Sequence, residues 1–201
     1  MKKILVIVVF PLIILLLGYL IVTSIAKPVR FNQEVKKREV LVIERLKDIR
    51  TLQDAFKTKH GRFTSSLDTL INFYKHDSII VVRQVGSFDD SLAVAQKRVY
   101  RDSIRVPVRD TLLKRFGFIP DSLRWVPHSG GKEFQMAALI KMVSGVPVPL
   151  FEAYAPWEDI LIGMDRQLIV NLKAENIAMN RYPGRKVGSI DNPNNSAGNW
   201  E

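Results

Sequence analysis

The sequence contains no cysteine and only three histidines among its 201 residues. Without cysteine there can be no disulfides, thiolate metal sites, cysteine nucleophiles or lipid-modified cysteine of a lipoprotein. His60, His76 and His128 do not have the spacing of a helical metal pair. The stretch "HSGGKEF" does not fit a phosphate loop, and the motifs of serine hydrolases and zinc proteases do not occur. These absences predict a protein that is not an enzyme, with an anchored enzyme of unrecognised site as the alternative.

Acidic residues are fewer than basic ones, 20 against 30, which gives a formal net charge of +10. This excess favours acidic partners such as phospholipid head groups, polysaccharides or nucleic acid. An ordinary solvated basic surface explains the same composition. The three tryptophans are far apart in sequence and indicate no platform for stacking bases, which disfavours nucleic acid.

Charge is absent altogether from residues 4–26, which follow Lys2 and Lys3. As a helix these 23 residues would span roughly 34 Å, enough for a hydrocarbon core of about 30 Å. We therefore predict a transmembrane signal anchor over residues 1–27. The triplet Ser24-Ile25-Ala26 resembles a signal-peptide cleavage site, so a cleaved segment is the alternative.

The orientation of the anchor is indicated by two opposing features. More basic residues follow the apolar run than precede it, which by count favours a cytoplasmic domain. The order of a short basic segment, an apolar segment and a small-residue segment is that of an export signal. We give the second feature more weight and expect a single pass through a bacterial inner membrane, with the C-terminal domain in the periplasm.

A second region, residues 28–61, has the pattern of an amphipathic stalk helix. Pro28 predicts a kink or break at Lys27. Beyond it, apolar residues recur at helical spacing: Val35, Val42, Leu46, Ile49, Leu52 and Phe56. Lys57, Lys59 and His60 suit the C-terminal end of a helix, and Gly61 predicts its stop.

The chain then predicts a short second helix that turns back towards the rest of the domain. Ser65, with Asp68 three residues later, resembles a capping box. The apolar positions that follow indicate an amphipathic helix ending near His76.

Residues 62–201 predict an α+β domain with an irregular C-terminal tail. Alternating or β-branched segments indicate strands at residues 78–85, 97–109, 134–143 and 147–154. Residues 111–117 predict a turn or two of helix, and residues 160–172 fit either a hairpin or a helix. The expected fold is a long amphipathic helix packed on an antiparallel β-sheet.

The segment "IRTLQDAFKTKHGRFTSSLDTLINF", together with the membrane segment before it, resembles type IV pilin-like and pseudopilin proteins. The matching pattern is a helix with spaced aliphatic and aromatic residues, then Gly61, Arg62, Phe63 and Thr64. The closing "RYPGRKVGSIDNPNNSAGNWE" also resembles membrane-anchored proteins of Bacteroidota-type bacteria. The chain has no Gly-Phe processing motif and no acidic residue before Glu34, so the resemblance extends to shape and not to a processed filament subunit.

The resemblance implies a pilin-like fold and a role as a structural or assembly subunit of a larger envelope complex. Some pseudopilins hold calcium near the C-terminus, which suggests oxygen ligands from a cluster in the tail: Asp191, Asn192, Asn194 and Asn195. A simple turn explains the same residues, and no other cofactor is expected.

Two further surfaces are predicted from the residues themselves. A basic strand face of Lys97, Arg101, Arg105 and Arg109 would bind an anionic ligand, which makes an anchored binding module the alternative function. Val40, Leu41 and Ile43 lie outside the apolar stripe of the stalk and would form an interface with other envelope proteins or a second copy.

Overall fold

The computed structural model describes residues 10–85, 100–115 and 118–201. Its elements are listed here in chain order: α1 (Phe10–His60), α2 (Leu67–His76), β1 (Ser78–Val85), β2 (Tyr100–Pro107), α3 (Val108–Thr111), a 3₁₀ turn (Pro120–Leu123), β3 (Gln135–Val143), β4 (Val146–Pro156), α4 (Trp157–Ile160), α5 (Arg166–Ala178) and β5 (Gly184–Gly188). The described residues therefore form an α+β fold, as predicted.

The helix α1 is continuous through Pro28, so the break predicted at Lys27 is absent, and a kink there stays a prediction. Proline lacks an amide hydrogen, and at this position it removes only the single bond that would reach the Ser24 carbonyl. The turns on both sides continue without it. The helix ends at His60, and Gly61 takes the left-handed conformation with φ of 71°, as predicted.

The predicted apolar stripe of α1 is buried along its whole length. Its members are Val35, Val42, Leu46, Ile49, Leu52 and Phe56, and Phe31 extends it towards the N-terminus. This stripe packs in one core with Phe151 and Ala153 of β4 and Val187 of β5. The core therefore lies between the stalk half of α1 and a three-stranded sheet, as predicted from the alternation of the strands.

The N-cap of α2 lies one residue later than predicted. Ser66, not Ser65, is the N-cap, and its side-chain oxygen accepts a hydrogen bond from the Thr69 amide at 3.3 Å. The buried side of α2 consists of Leu70, Ile71, Phe73 and Tyr74.

The described strands form two antiparallel sheets. β1 pairs with β2, with Ser78 opposite Pro107, and the order in the other sheet is β3-β4-β5. A two-residue turn of Ser144 and Gly145, both at positive φ, joins β3 to β4. The strands predicted near residues 78–85, 134–143 and 147–154 are thus confirmed.

Three predictions in the body need correction or completion. The helix predicted at residues 111–117 is not formed over residues 112–115: helical turn α3 occupies Val108–Thr111, and Leu113 has a φ of 53° that diverts the chain. Residues 116 and 117 lie outside the described residues. The same turn ends β2 at Pro107, short of the predicted residue 109. The ambiguous region resolves into helix α5, capped by the Asp165 side chain. The tail after β5 is irregular, as expected, apart from a bridge between Val187 and Gly198.

Candidate interaction surfaces

The N-terminal part of α1 is apolar and packs against nothing within the described residues. An 18-residue window has a mean hydropathy of 2.1 and none of it is buried. Leu12 and Leu15, for example, are 65% and 75% exposed. By length and composition this helix segment is able to cross a membrane. Such a surface costs free energy in water and is stabilised by lipid.

The rest of the domain forms its first side-chain hydrogen bonds with α1 at Arg38 and Glu39, after this apolar segment. Arg38 donates hydrogen bonds to the carbonyls of Ile160 and Ile162, at 3.3 and 3.0 Å. Arg185 of β5 donates to the Glu39 carboxylate at 2.6 Å, and its guanidinium lies 4.9 Å from the centre of the Trp157 ring. Both ion-pair partners are mostly buried, so this pair is screened less than a surface pair.

At the other end of α1, the β3–β4 hairpin extends past the helix stop. Met136 contacts Gln53 of α1, and four residues further along β3, Ile140 lines a cavity with Phe56 and Phe63. Beyond Ile140 the strands reach the turn, and the apolar side chains there are exposed. Ile140, Met142 and Val146 are 59%, 64% and 59% exposed. We call these three residues the hairpin tip.

The hairpin tip was not predicted from the sequence as a surface. The alternation of β3 and β4 was evident, but the Ser144-Gly145 turn between them was not recognised. That dipeptide, flanked by two alternating segments, is the signal that predicts a hairpin. Apolar residues on both sides of such a turn are then candidates for an exposed apolar end.

A charged cleft of about 350 Å³ lies between α1 and the segment after α3. Arg115 contacts the carboxylates of both Glu44 and Asp48, and Arg45 donates to the Ser122 hydroxyl at 2.5 Å. Burial raises the pKa of the Asp48 carboxyl, while the charges of Arg115 and Arg45 oppose that rise. Because one guanidinium engages both acids, the cluster ties the segment to α1 and leaves neither carboxylate free to act on a ligand.

The structure does not assemble the predicted basic strand face as expected. Lys97 lies outside the described residues, and Arg101 sits in β2 opposite Gln84. Arg109 lies in α3 and not in the strand, with its nearest carboxylate, that of Asp110, 3.7 Å away. Arg105 is exposed and lines a cavity of about 490 Å³ with Lys59. Of the predicted surface, Arg105 is the residue that has this cavity beside it.

The oxygen-rich loop in the tail is held by hydrogen bonds of its own. The Lys141 ammonium donates to the Asp191 carbonyl at 2.6 Å, and the Asn194 amide donates to the Ala197 carbonyl at 3.2 Å. Asn192 and Asn195 are exposed in the same loop. Over the described ranges, no group of three or more His, Asp or Glu side chains is arranged to hold a metal ion. The turn explanation accounts for these contacts, and calcium stays a prediction.

The predicted partner residues of the stalk do not lie on one face. Val40 is 63% exposed and points away from the core, whereas Leu41, 40% exposed, lines the charged cleft. Successive helix positions differ by about 100°, so Leu41 and the half-buried Ile43 lie on opposite flanks of α1. Val40 and Leu41 are both exposed, and their role as a partner interface stays a prediction.

Comparison of the chain with protein-family models, curated proteins and solved structures found no match. The geometry of the chain itself is therefore the basis for a functional proposal.

Proposed function

We propose that this chain is a non-enzymatic, single-pass membrane-anchored envelope protein that acts as a structural or assembly subunit of a larger complex. The anchor is the apolar segment of α1, in a bacterial inner membrane, and the domain is pilin-like and periplasmic. The observation that carries the proposal is the continuity of α1. The helix has an exposed apolar half of transmembrane length and a half whose stripe forms the domain core.

A continuous helix fixes where the domain stands relative to the bilayer. From residue 26 to residue 60 the helix rises about 51 Å. The hairpin tip begins beside Phe56 and Phe63, at the end of α1 opposite the apolar span. Ile140 and Met142 lie two residues apart on one face of β3, and burying such exposed apolar side chains against a partner protein is favourable.

The open edges of the hairpin add a second means of association. Within the described residues, β3 is hydrogen-bonded on one side only, to β4. An edge strand with unpaired amide and carbonyl groups accepts an added strand from a partner. The hairpin tip and the β3 edge together form the proposed assembly surface.

The proposal is tested by cross-linking in spheroplasts with a membrane-impermeant amine-reactive reagent, followed by purification of the tagged full-length chain. We expect one reproducible partner. We expect the double variant Ile140→Asp and Met142→Asp to recover about one-tenth as much cross-linked partner as the wild type, because charge opposes burial of the tip. Ile119→Asp, which alters a similarly exposed isoleucine elsewhere, is the matched control and should retain the partner.

Equal recovery by the tip variant and the wild type would reject the hairpin tip as the assembly surface. Absence of any cross-link to the domain, with cytoplasmic proteins cross-linked only after lysis, would reject the periplasmic location. Melting temperatures of all variants establish that each one is folded.

An alternative function, binding of an anionic ligand, is favoured by the cavity beside Arg105 and Lys59. Lys59 is paired with Asp77, and this contact lowers the pKa of the Asp77 carboxyl. Arg105, which has no ion pair with any described carboxylate, would then supply the positive charge. This candidate requires binding that weakens as salt is raised.

A further inference from the structure

The segment that contains α5, residues 163–184, begins and ends beside the same turn of α1. It departs next to Ile162, whose carbonyl is bound by Arg38, and it returns at Arg185, which is bound to Glu39. Arg38 and Glu39 are neighbours in α1. Residues 163–184 are therefore an excursion that starts and ends beside the same turn of the stalk.

The excursion covers the side of that turn nearest the apolar span. Phe31 and Val35 precede Arg38 on α1, and they are only 7% and 8% exposed. The other side-chain hydrogen bonds from the body to α1 in the described chain lie beyond residue 43, at positions such as Arg45, Asp48 and Gln53. Phe31 and Val35 share the core cluster with Ile160, Leu161 and Ile169. Arg38 and Glu39 are therefore the positions nearest the apolar span at which the body makes side-chain hydrogen bonds to α1 in the described chain, which puts the excursion towards that end of the domain.

Phe31 lies five residues after Ala26, the last residue of the uncharged run, which corresponds to a rise of about 7.5 Å. An element that covers Phe31 therefore lies within reach of the head groups of a membrane spanned by α1. The polar head-group region adds several ångströms on each side of the hydrocarbon core.

The outer side of α5 carries exposed apolar residues together with Arg166 and Lys173, while its inner side packs in the core. Val170 and Ile177 are 50% and 54% exposed, and their seven-residue spacing puts them on one side of the helix. Met179, just after the helix, is 54% exposed. These residues follow Ile162, which is 39% exposed at the start of the excursion.

Basic residues are frequent on the stalk next to the apolar span and at the two ends of α5. Between residues 27 and 38 the stalk carries five basic residues and one acidic residue, Glu34; the basic ones are Lys27, Arg30, Lys36, Lys37 and Arg38. Arg166 and Arg181 flank α5 and are exposed. Anionic lipids attract basic residues close to the membrane surface.

We propose that α5 is a membrane-contact helix, whose outer residues Ile162, Val170, Ile177 and Met179 rest at the head-group level of an anionic bilayer. The inference rests on the proposed anchoring by α1, because that span brings α5 to the surface. An apolar strip flanked by basic residues is the pattern of helices that lie in the membrane interface. The contact would hold the domain at a fixed tilt about its anchor.

The absence of cysteine makes a direct test possible. Val170→Cys and Ile177→Cys, each labelled with an environment-sensitive fluorophore, are placed in the full-length chain in nanodiscs. The nanodiscs contain either phosphatidylcholine alone or an equal mixture with phosphatidylglycerol, together with head-group-proximal doxyl lipids as quenchers. Ile119→Cys is the control, because it is 62% exposed and lines the cleft beside Leu41, further along α1.

We expect quenching at positions 170 and 177 that is roughly twofold greater with phosphatidylglycerol and that falls as salt is raised. Lys27→Glu combined with Arg30→Glu should return it to the level seen with phosphatidylcholine alone. Position 119 should show little quenching in every lipid.

Quenching at 170 and 177 equal to that at 119 would overturn the inference. Protection of those labels in detergent without lipid, increasing with protein concentration, would assign the face to a second copy and would also overturn it. Failure of the anchoring itself is seen separately, as chain that does not co-purify with the nanodiscs.

Discussion

Asp48 is a buried acid in a basic protein, and its surroundings determine its role. It retains 5% of its surface exposed, and Arg115 reaches it from 67 positions further along the chain. Asp48 is not one of the apolar stripe residues of α1, and a charged residue outside the stripe is ordinarily solvated. The sequence could not show that it is buried, because the residue that compensates its charge lies on a distant segment.

Replacing Arg115 by methionine should destabilise the protein in a pH-dependent manner. Burial already raises the pKa of Asp48 in the folded state above its ordinary value of 3.8, and loss of Arg115 would raise it further. A carboxyl with a raised folded pKa favours the folded state below its unfolded pKa, and that contribution is lost as pH rises through the folded value. We expect a loss of about 2 kcal/mol at pH 7 and a smaller loss at pH 4.

Urea unfolding of the chain in mild detergent, at both pH values, measures this effect. Arg109→Met is the control, because Arg109 is exposed and only loosely paired, and its change should be within about 0.5 kcal/mol. An equal loss at pH 4 and pH 7 for Arg115→Met would show that Asp48 is not the group responsible.

At the scale of elements, the stop of α1 and the return of the chain depend on Gln53 as well as on Gly61. Gln53 is fully buried, and its amide pairs with the Thr64 backbone: it donates to the carbonyl at 2.6 Å and accepts from the amide at 3.1 Å. Gly61 permits the turn, and Gln53 holds the segment that follows it against α1.

Gln53→Leu keeps the approximate volume but leaves two buried backbone groups of Thr64 without partners. We expect a loss of about 2 kcal/mol in the free energy of unfolding. Gln135→Leu, at an exposed position where β3 begins, is the matched control and should be nearly neutral. A neutral result for Gln53→Leu would mean that Gly61 alone directs the return of the chain.

Helices and strands were predictable where a single local pattern, such as apolar periodicity or a terminating glycine, specified them. The stripe of α1, the stop at Gly61 and strands β1, β3 and β4 follow from periodicity and composition. The helix expected at residues 111–117 is not formed over residues 112–115, because Leu113 adopts a left-handed conformation that its sequence does not signal. The predicted arginine row failed beyond Arg105 because the strand ends at Pro107 and Arg109 enters a helical turn.

At the scale of the whole molecule, the described residues form one long helix, α1, and an α+β domain built around its second half. The span, the stalk and the α+β class were predictable because each has a strong one-dimensional pattern. The placement of α5 near the apolar span and of the hairpin tip at the far end was not predictable. It depends on long-range contacts such as Arg38 with Ile162 and Arg185 with Glu39.

The continuity of α1 across Pro28 is the central claim, and a distance measurement between spin labels tests it most directly. Val22→Cys and Lys47→Cys are labelled together in the full-length chain in nanodiscs, and the distance is measured by double electron–electron resonance. A continuous helix predicts one narrow distribution at about 37 Å, the helical rise over the 25 steps from residue 22 to residue 47. A broad distribution, or one centred at a clearly shorter distance, would show that the helix breaks at Pro28 and would contradict the account.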